Sequence, residues 1–235
     1  MSSAAVLLFT FLLFGTAFSA ERFKPQAQQK EQPGPKLIDE TTRWSKCKTD
    51  QNLTIYDFEV ETLEGDFTNL EKFKGQTLLV INVATFCAYT QQYIDFNPLI
   101  EKNLANGNQF SIFGIPLQSV LSAGAGREPR DYERNYPCET GQRVNGANQH
   151  PLYEFLKDSC PQTVIQIGKR EELMYNPIRT NDITWNFEKF LIDSEGRPRF
   201  RFHPTAWSHG EVVQKFSEQM AAEQVKEVQG EVKKS

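Results

Sequence analysis

Apolar runs and helical spacing alternate along the central part of the chain. Leu78–Ala84 (LLVINVA) and Phe110–Ile115 (FSIFGI) are continuous apolar runs of strand length, which is typical of buried strands in a parallel sheet. Between them, the apolar positions of Tyr93–Leu104 recur at helical spacing, and the Asn-Gly-Asn sequence that follows favours the end of a helix. The pattern therefore predicts a β-α-β unit, and its crossover is expected to be right-handed.

The remaining pattern predicts further elements on both sides of this unit. They are a strand at Leu53–Glu61 with a turn at Thr62–Gly65, a short helix at Pro151–Asp158, two strands at Phe187–Ile192 and Arg199–Phe202 joined by the turn Asp193–Gly196, and a helix from Gly210 to about Met220. The order β-α-β and then β-β-α predicts an α/β protein with a thioredoxin-like fold, in which helices flank a central mixed β-sheet.

The N-terminal residues carry a different pattern. Met1–Ala20 contains no Asp, Glu, Lys or Arg, and its apolar run is followed by the small-residue sequence Ala17-Phe18-Ser19. This favours a signal peptide over residues 1–19, with an uncleaved anchor as the alternative reading. We expect an extended arm at residues 20–46, one domain at residues 47–220 and a charged tail at residues 221–235, which is compatible with an extension of the last helix.

Composition narrows the functional classes. The chain has 235 residues, is 39% hydrophobic and 24% charged, and carries a formal net charge of -4. This balance provides a core and argues against a disordered tail protein and a nucleic-acid binder, which normally shows a basic face. The mean hydropathy of -0.53 argues against a protein with several membrane spans.

Four cysteines invite different interpretations in an exported chain. They are Cys47, Cys87, Cys138 and Cys160, and three complete pairings are open to them. Cys87 follows the strand at Leu78–Ala84 and precedes a predicted helix, where unpaired N–H groups favour the nucleophilic thiolate. The alternative reading is a buried structural cysteine.

Trp185 and Asn186 lie at the start of a predicted strand and offer an indole N–H and an amide NH₂. Two such donors are suited to stabilising a thiolate or a sulfenate. The alternative is a core tryptophan beside a turn asparagine.

Taken together, these segments resemble the glutathione peroxidase family from about Tyr56 to Met220, and the secreted branch in particular. The most specific matches are Val80–Thr90 (VINVATFCAYT), Phe155–Pro161 (FLKDSCP) and Trp185–Phe190 (WNFEKF), with support from Tyr175–Pro177 and Gly196–Pro198.

The resemblance implies a secreted thiol peroxidase that reduces hydrogen peroxide and organic hydroperoxides, with glutathione as reducing substrate and no other cofactor. Cys87 takes the peroxidatic position, and Trp185 and Asn186 match two of the residues that surround it in the family. The third is a glutamine. Arginines are expected to bind the glutathione carboxylates, and the candidates are Arg179, Arg199 and Arg201.

The sequence departs from the family where that glutamine is expected. In Ile115–Pro129, alignment on Pro116 puts Ser119 at the glutamine position, and Gln118 takes it if the loop shifts by one residue. Residues 130–144 are shorter than the family's segment, which puts its tetramer in doubt. Two alternatives follow: a non-catalytic relative, or a thioredoxin-dependent peroxidase with Cys138 as the resolving cysteine. Pro137 argues against a helix at Cys138.

Other features are predicted with less consequence for the chemistry. We expect a structural bridge between Cys47 and Cys160, and Asn52-Leu53-Thr54 is a glycosylation sequon. The three histidines do not form a zinc pattern, so no metal site is predicted. The expected partners are hydroperoxide and glutathione, without nucleic acid or stable membrane insertion.

Overall fold

A five-stranded sheet forms the centre of the protein in the computed structural model, which describes residues 43–48, 52–62, 65–84, 87–116, 144–165, 168, 170, 173 and 175–232. The strands are β1 (Trp44–Lys46), β2 (Glu59–Glu61), β3 (Phe67–Asn69), β4 (Thr77–Val83), β5 (Phe110–Pro116), β6 (Lys189–Ile192) and β7 (Pro198–Phe202). The helices are α1 (Phe96–Ala105), α2 (Pro151–Ser159) and α3 (Glu211–Val232).

The central sheet is mixed, with the order β1-β7-β6-β4-β5, while β2 and β3 form a separate hairpin. Strand β4 pairs in parallel with β5 and antiparallel with β6, and β6 pairs antiparallel with β7. The parallel pair is connected through α1, as the β-α-β pattern predicts, and the β6-β7 hairpin followed by α3 supplies the second predicted unit.

Strand β4 is buried along its whole length because helices cover both faces of the sheet. Leu78 and Val80 face a core that includes apolar residues of α2. Leu79 and Ile81 face a second core that includes residues of α1 and α3. This two-sided burial explains why the strand is a continuous apolar run and not an alternating one.

Two predicted elements begin differently from expectation. The segment predicted as one helix at Tyr93–Leu104 is a 3₁₀ helix at Thr90–Asp95 followed by α1. The segment predicted as a strand from Leu53 begins instead with a 3₁₀ helix at Ile55–Asp57. Thr54 caps this turn, and the carboxylate of Asp57 accepts the Thr54 backbone N–H at 2.7 Å, so local hydrogen bonds replace strand pairing.

The sheet begins earlier in the chain than predicted. Trp44–Lys46, assigned to the extended arm, is strand β1 of the central sheet and pairs with β7. At the other end, residues 221–232 of the charged tail continue α3, as the sequence allows. The signal-peptide prediction lies outside the described residues. No helix in the described part of the chain is long and apolar enough to cross a membrane.

A disulfide joins Cys47 to Cys160, the pair expected from the sequence. The bond connects the residue after β1 to the residue after α2, and both sulfur-bearing residues are buried. Backbone bonds reinforce the junction, since the N–H of Lys48 donates to the carbonyl of Ser159 at 2.8 Å. The N-terminal edge strand is therefore fixed to the helix layer as well as to the sheet.

Candidate active site

Strands β4 and β5 end at one edge of the central sheet, and strand β6 begins there. The register aligns Ile81 of β4 with Lys189, the first residue of β6, and aligns Val83 of β4 with Pro116, the last residue of β5. The loop after β4 therefore leaves this edge close to where the chain enters β6. The first loop carries Cys87, and the approach to β6 carries Trp185 and Asn186. We call this edge the Cys87 edge.

Cys87 is the free cysteine within the described ranges, and it is half-buried. The hydroxyl of Thr90 accepts the Cys87 backbone N–H at 3.1 Å and donates to the carbonyl of Ala84 at 3.1 Å. The Thr90 side chain thus fixes the path of the chain between the end of β4 and the 3₁₀ helix. The backbone N–H of Tyr89 donates to the Cys87 sulfur at 3.5 Å.

Asn82 connects the end of β4 to the Trp185-Asn186 segment. Its side-chain amide donates to the carbonyl of Trp185 at 2.9 Å, and its own carbonyl accepts the N–H of Phe187 at 2.6 Å. Asn82 is fully buried, so these bonds are shielded from water. Asn82 therefore holds the backbone on both sides of Asn186, through its side chain at Trp185 and through its backbone carbonyl at Phe187.

An aromatic contact also joins the 3₁₀ helix after Cys87 to the Trp185-Asn186 segment. The ring of Tyr93, in the 3₁₀ helix after Cys87, packs edge-on against the ring of Phe187 with centroids 5.5 Å apart. Burial raises the pKa of Tyr93. Phe187 is fully buried and has a φ of 65°, a left-handed conformation that costs a bulky residue of order 1–3 kcal/mol. This strain occurs immediately after Asn186.

The two predicted donors have different surroundings. Asn186 is 2% exposed, and its side-chain oxygen has no hydrogen-bond partner among the described residues. Trp185 is half-buried. A buried amide oxygen without a partner is costly unless the surrounding structure imposes it, and functional sites are common places for such atoms.

Two of the three candidate arginines are engaged in ion pairs away from the Cys87 edge. Arg199 lies near the start of β7, which pairs with the end of β6, so it is at the edge of the sheet opposite the Cys87 edge. It is bound there to Asp193 at 3.3 Å and Glu223 at 3.0 Å. Arg201 is completely buried and paired with Glu188 at 2.6 Å. The ion pairs of both guanidinium groups argue against a role in binding glutathione at the Cys87 edge.

The remaining predicted residues have varied settings. Arg179 is exposed and paired with Glu154 at 2.9 Å, which leaves its substrate-binding role a prediction. Asn52 is exposed just before the first 3₁₀ helix. Gln118 and Cys138 lie outside the described residues. Over the described ranges, no group of three or more His, Cys, Asp or Glu side chains is arranged to hold a metal ion.

Sequence reasoning missed the residues that connect the segments. Asn82 is the one polar residue in the apolar run Leu78–Ala84, and a buried polar side chain in such a run is itself a signal of a specific hydrogen-bonding role. Thr90 and Tyr93 carried no comparable signal, because a threonine and a tyrosine at the start of a helix have many ordinary roles.

Comparisons with known proteins show which family the chain is similar to. Residues 55–157 match the glutathione peroxidase family (GSHPx). The chain is 53% identical over 202 residues to glutathione peroxidase 3 of Caenorhabditis elegans, covering 79% of this chain and 88% of that protein. It is 43% identical over 209 residues to the cuticular glutathione peroxidase of Brugia malayi, covering 82% of this chain and 91% of that protein.

A solved structure shows the same architecture. The crystal structure of T. cruzi GPX1 is similar with a TM-score of 0.51 and 29% sequence identity, covering 72% of this chain and 96% of that chain. The thioredoxin-like fold predicted from the order of elements is thereby confirmed, with its mixed sheet and flanking helices.

Proposed function

Because the chain belongs to the glutathione peroxidase family of peroxide-reducing oxidoreductases, we propose that it is a secreted thiol peroxidase with Cys87 as its peroxidatic residue. The observation that supports the proposal is that the strand preceding Cys87 and the Trp185-Asn186 segment lie at one sheet edge, where Asn82 bonds the two together. Glutathione is the proposed electron donor, and hydrogen peroxide and organic hydroperoxides are the proposed oxidants.

The proposed reaction has an oxidative and a reductive half. The Cys87 thiolate attacks one peroxide oxygen, the O–O bond breaks, and water or an alcohol leaves after taking up a proton, which yields a sulfenic acid. One thiol then displaces water from the sulfenic acid and forms a mixed disulfide. A second thiol attacks that disulfide, releases oxidised glutathione and restores the Cys87 thiolate.

Trp185 and Asn186 have supporting roles in this proposal. Their N–H groups act as donors toward the sulfur and toward the leaving oxygen, where negative charge develops as the O–O bond breaks. The Tyr89 N–H already donates to the sulfur of Cys87. Gln118 is the proposed third donor, with its backbone two residues beyond the end of β5 in sequence.

A coupled assay tests the function. Purified protein is given hydroperoxide with either glutathione and its reductase or thioredoxin and its reductase, and consumption of NADPH is followed. We expect turnover with glutathione, and Cys87→Ser should abolish it. Cys138→Ser serves as the matched control and should retain activity. Loss of activity in Cys138→Ser with thioredoxin favours a resolving cysteine, and no turnover by folded protein with either donor favours a non-catalytic relative.

Export is part of the same proposal. It is supported by the uncharged N-terminal stretch, by the Cys47–Cys160 disulfide and by the cuticular name of a similar protein. Expression of the full chain in a eukaryotic cell line with N-terminal sequencing of the medium protein tests it. We expect cleavage after residue 19 or 20, and a mass shift with endoglycosidase that Asn52→Gln removes. Retention of the whole chain inside the cells would contradict export.

A further inference from the structure

Buried side chains anchor the backbone on both sides of Trp185 and Asn186. We call residues 181–188 the Trp185 segment. The backbone groups of this segment accept or donate hydrogen bonds at residues 181, 182, 183, 184, 185, 187 and 188, and most of their partners are side chains. A loop of this length normally relies on solvent for many of these bonds.

Glu188 and Arg201 form the centre of this anchoring. One carboxylate oxygen of Glu188 accepts both the backbone N–H and the hydroxyl of Thr184 at 2.8 Å each. The other accepts the Arg201 guanidinium at 2.7 Å from Nε and 2.6 Å from Nη2. The same guanidinium donates to the carbonyls of Asn181 at 2.8 Å and Asp182 at 3.0 Å. Arg201 thus binds the backbone at the start of the Trp185 segment, and Glu188, at its end, binds Thr184 in its middle.

A second buried pair holds the entry to the segment. Lys157 of α2 donates to Asp182 and to the side-chain oxygen of Asn145, both at 2.9 Å. Asn145 in turn accepts the N–H of Ile183 at 3.0 Å and donates to the carbonyl of Ile183 at 2.8 Å. Asp182, Lys157 and Asn145 are each no more than 5% exposed, so this pair belongs to the protein interior.

The charges of this cluster balance, and neighbouring groups respond to them. Glu188 and Asp182 oppose Arg201 and Lys157. Burial, followed by the negative charge of Glu188, raises the pKa of Tyr153, whose hydroxyl is buried. Ion pairs taken out of water seldom add net stability, because the cost of desolvation offsets their attraction. Conformational specificity is therefore the better explanation for four charges buried on one side of a loop.

Resting on the proposed function, we propose that Glu188 and Arg201 are positioning residues for peroxide reduction. They hold the Trp185 segment so that the Trp185 and Asn186 donors stay at the Cys87 edge. The left-handed Phe187 gives this role a physical reason, since a strained residue after Asn186 relaxes unless neighbouring bonds fix the backbone. Neither residue touches the reacting atoms, so each acts through the segment it binds.

The oxidative half-reaction provides the test. Reduced protein is mixed with hydrogen peroxide, quenched with an alkylating agent, and the remaining Cys87 thiol is measured by mass spectrometry. We expect Glu188→Met to lower the oxidation rate constant by about 10–100-fold, the usual range for residues that orient a functional group.

Two further variants separate positioning from stability. Glu188→Met alone leaves the Arg201 charge unpaired, whereas Glu188→Met with Arg201→Met removes both charges and should recover much of the lost stability. If oxidation stays slow in the double variant, positioning is supported, and if oxidation recovers together with stability, it is overturned. Thr184→Val keeps both charges and removes one hydroxyl bond, and it should slow oxidation by about three- to ten-fold.

Controls distinguish this proposal from the proposed function itself. Phe155→Leu removes volume from the same core face, where Phe155 packs against Phe58 at 5.1 Å, and should destabilise the protein without slowing oxidation. Rapid oxidation of the parent chain that persists in Glu188→Met overturns the positioning role alone. If Cys87 of the parent chain is oxidised no faster than an unactivated thiol, the proposed function is overturned, and the positioning role with it.

Discussion

Loss of the Cys47–Cys160 disulfide should lower the free energy of unfolding substantially while leaving the Cys87 edge in place. The bond spans a sequence separation of 113 residues and ties β1 to the end of α2. Cys47 lies beside Arg199, since its N–H donates to the Arg199 carbonyl at 2.9 Å. That position is at the edge of the sheet opposite Cys87. The perturbation is replacement of both cysteines by alanine.

The magnitude follows from the closed loop. In the chain-entropy treatment, a loop of 113 residues restricts the unfolded chain by about 16 cal/mol/K, or about 4.8 kcal/mol at 25 °C. Bonds that remain near β1 after the replacement include the Lys48 N–H to the Ser159 carbonyl and the hydroxyl of Ser45 to the Pro161 carbonyl. We therefore expect a loss of about 3–5 kcal/mol, a large part of a typical 5–15 kcal/mol.

Denaturant unfolding followed by tryptophan fluorescence measures this loss. Both proteins carry Cys87→Ser and Cys138→Ser, so that no free thiol exchanges with the disulfide during unfolding. The variant should unfold at a lower denaturant midpoint and with a larger m-value, because its unfolded state is no longer compacted by a cross-link. A folded variant with a loss below about 1 kcal/mol and an unchanged m-value would refute the loop-entropy reasoning.

Three further predictions concern the pH dependence of stability and the candidate substrate-binding residue Arg179. His150 caps α2 by accepting the Leu152 N–H, and burial lowers its pKa below 6.5. The free energy of unfolding should therefore fall as the pH falls below 6.5. Urea unfolding at a series of pH values measures this dependence, and His150→Asn should remove it. Burial lowers the pKa of Lys189 well below 10.5, so the stability of the parent relative to Lys189→Met should rise as the pH approaches 10.5. A difference that stays flat over this pH range would contradict the lowered pKa. Arg179→Ala removes an exposed ion pair with Glu154 and should change the free energy of unfolding by less than about 1 kcal/mol. Stopped-flow kinetics of the reduction of oxidised protein by glutathione tests the substrate-binding role of Arg179. A slower reduction in the variant would support that role, and an unchanged rate would exclude it.

Elements with a strong local pattern were predictable from the sequence. The apolar runs at β4 and β5 gave the parallel pair, and the turn between β6 and β7 gave the hairpin, because burial and turn chemistry are properties of short segments. Strand β1 was missed since three residues with an exposed-intermediate-exposed pattern carry no such signal. Its pairing with β7 depends on contacts between segments that are distant in sequence.

The sequence by itself determined which residues carry the candidate chemistry, and the tertiary structure decided where on the sheet each of them lies and which are buried in ion pairs. Cys87, Trp185 and Asn186 were recognisable from residue type and resemblance. Arg199 and Arg201 looked equivalent on the chain, yet the register puts one at the far edge and buries the other against Glu188. The physical reason is that the register and the packing of sheet faces depend on contacts between segments distant in sequence, which no local pattern contains.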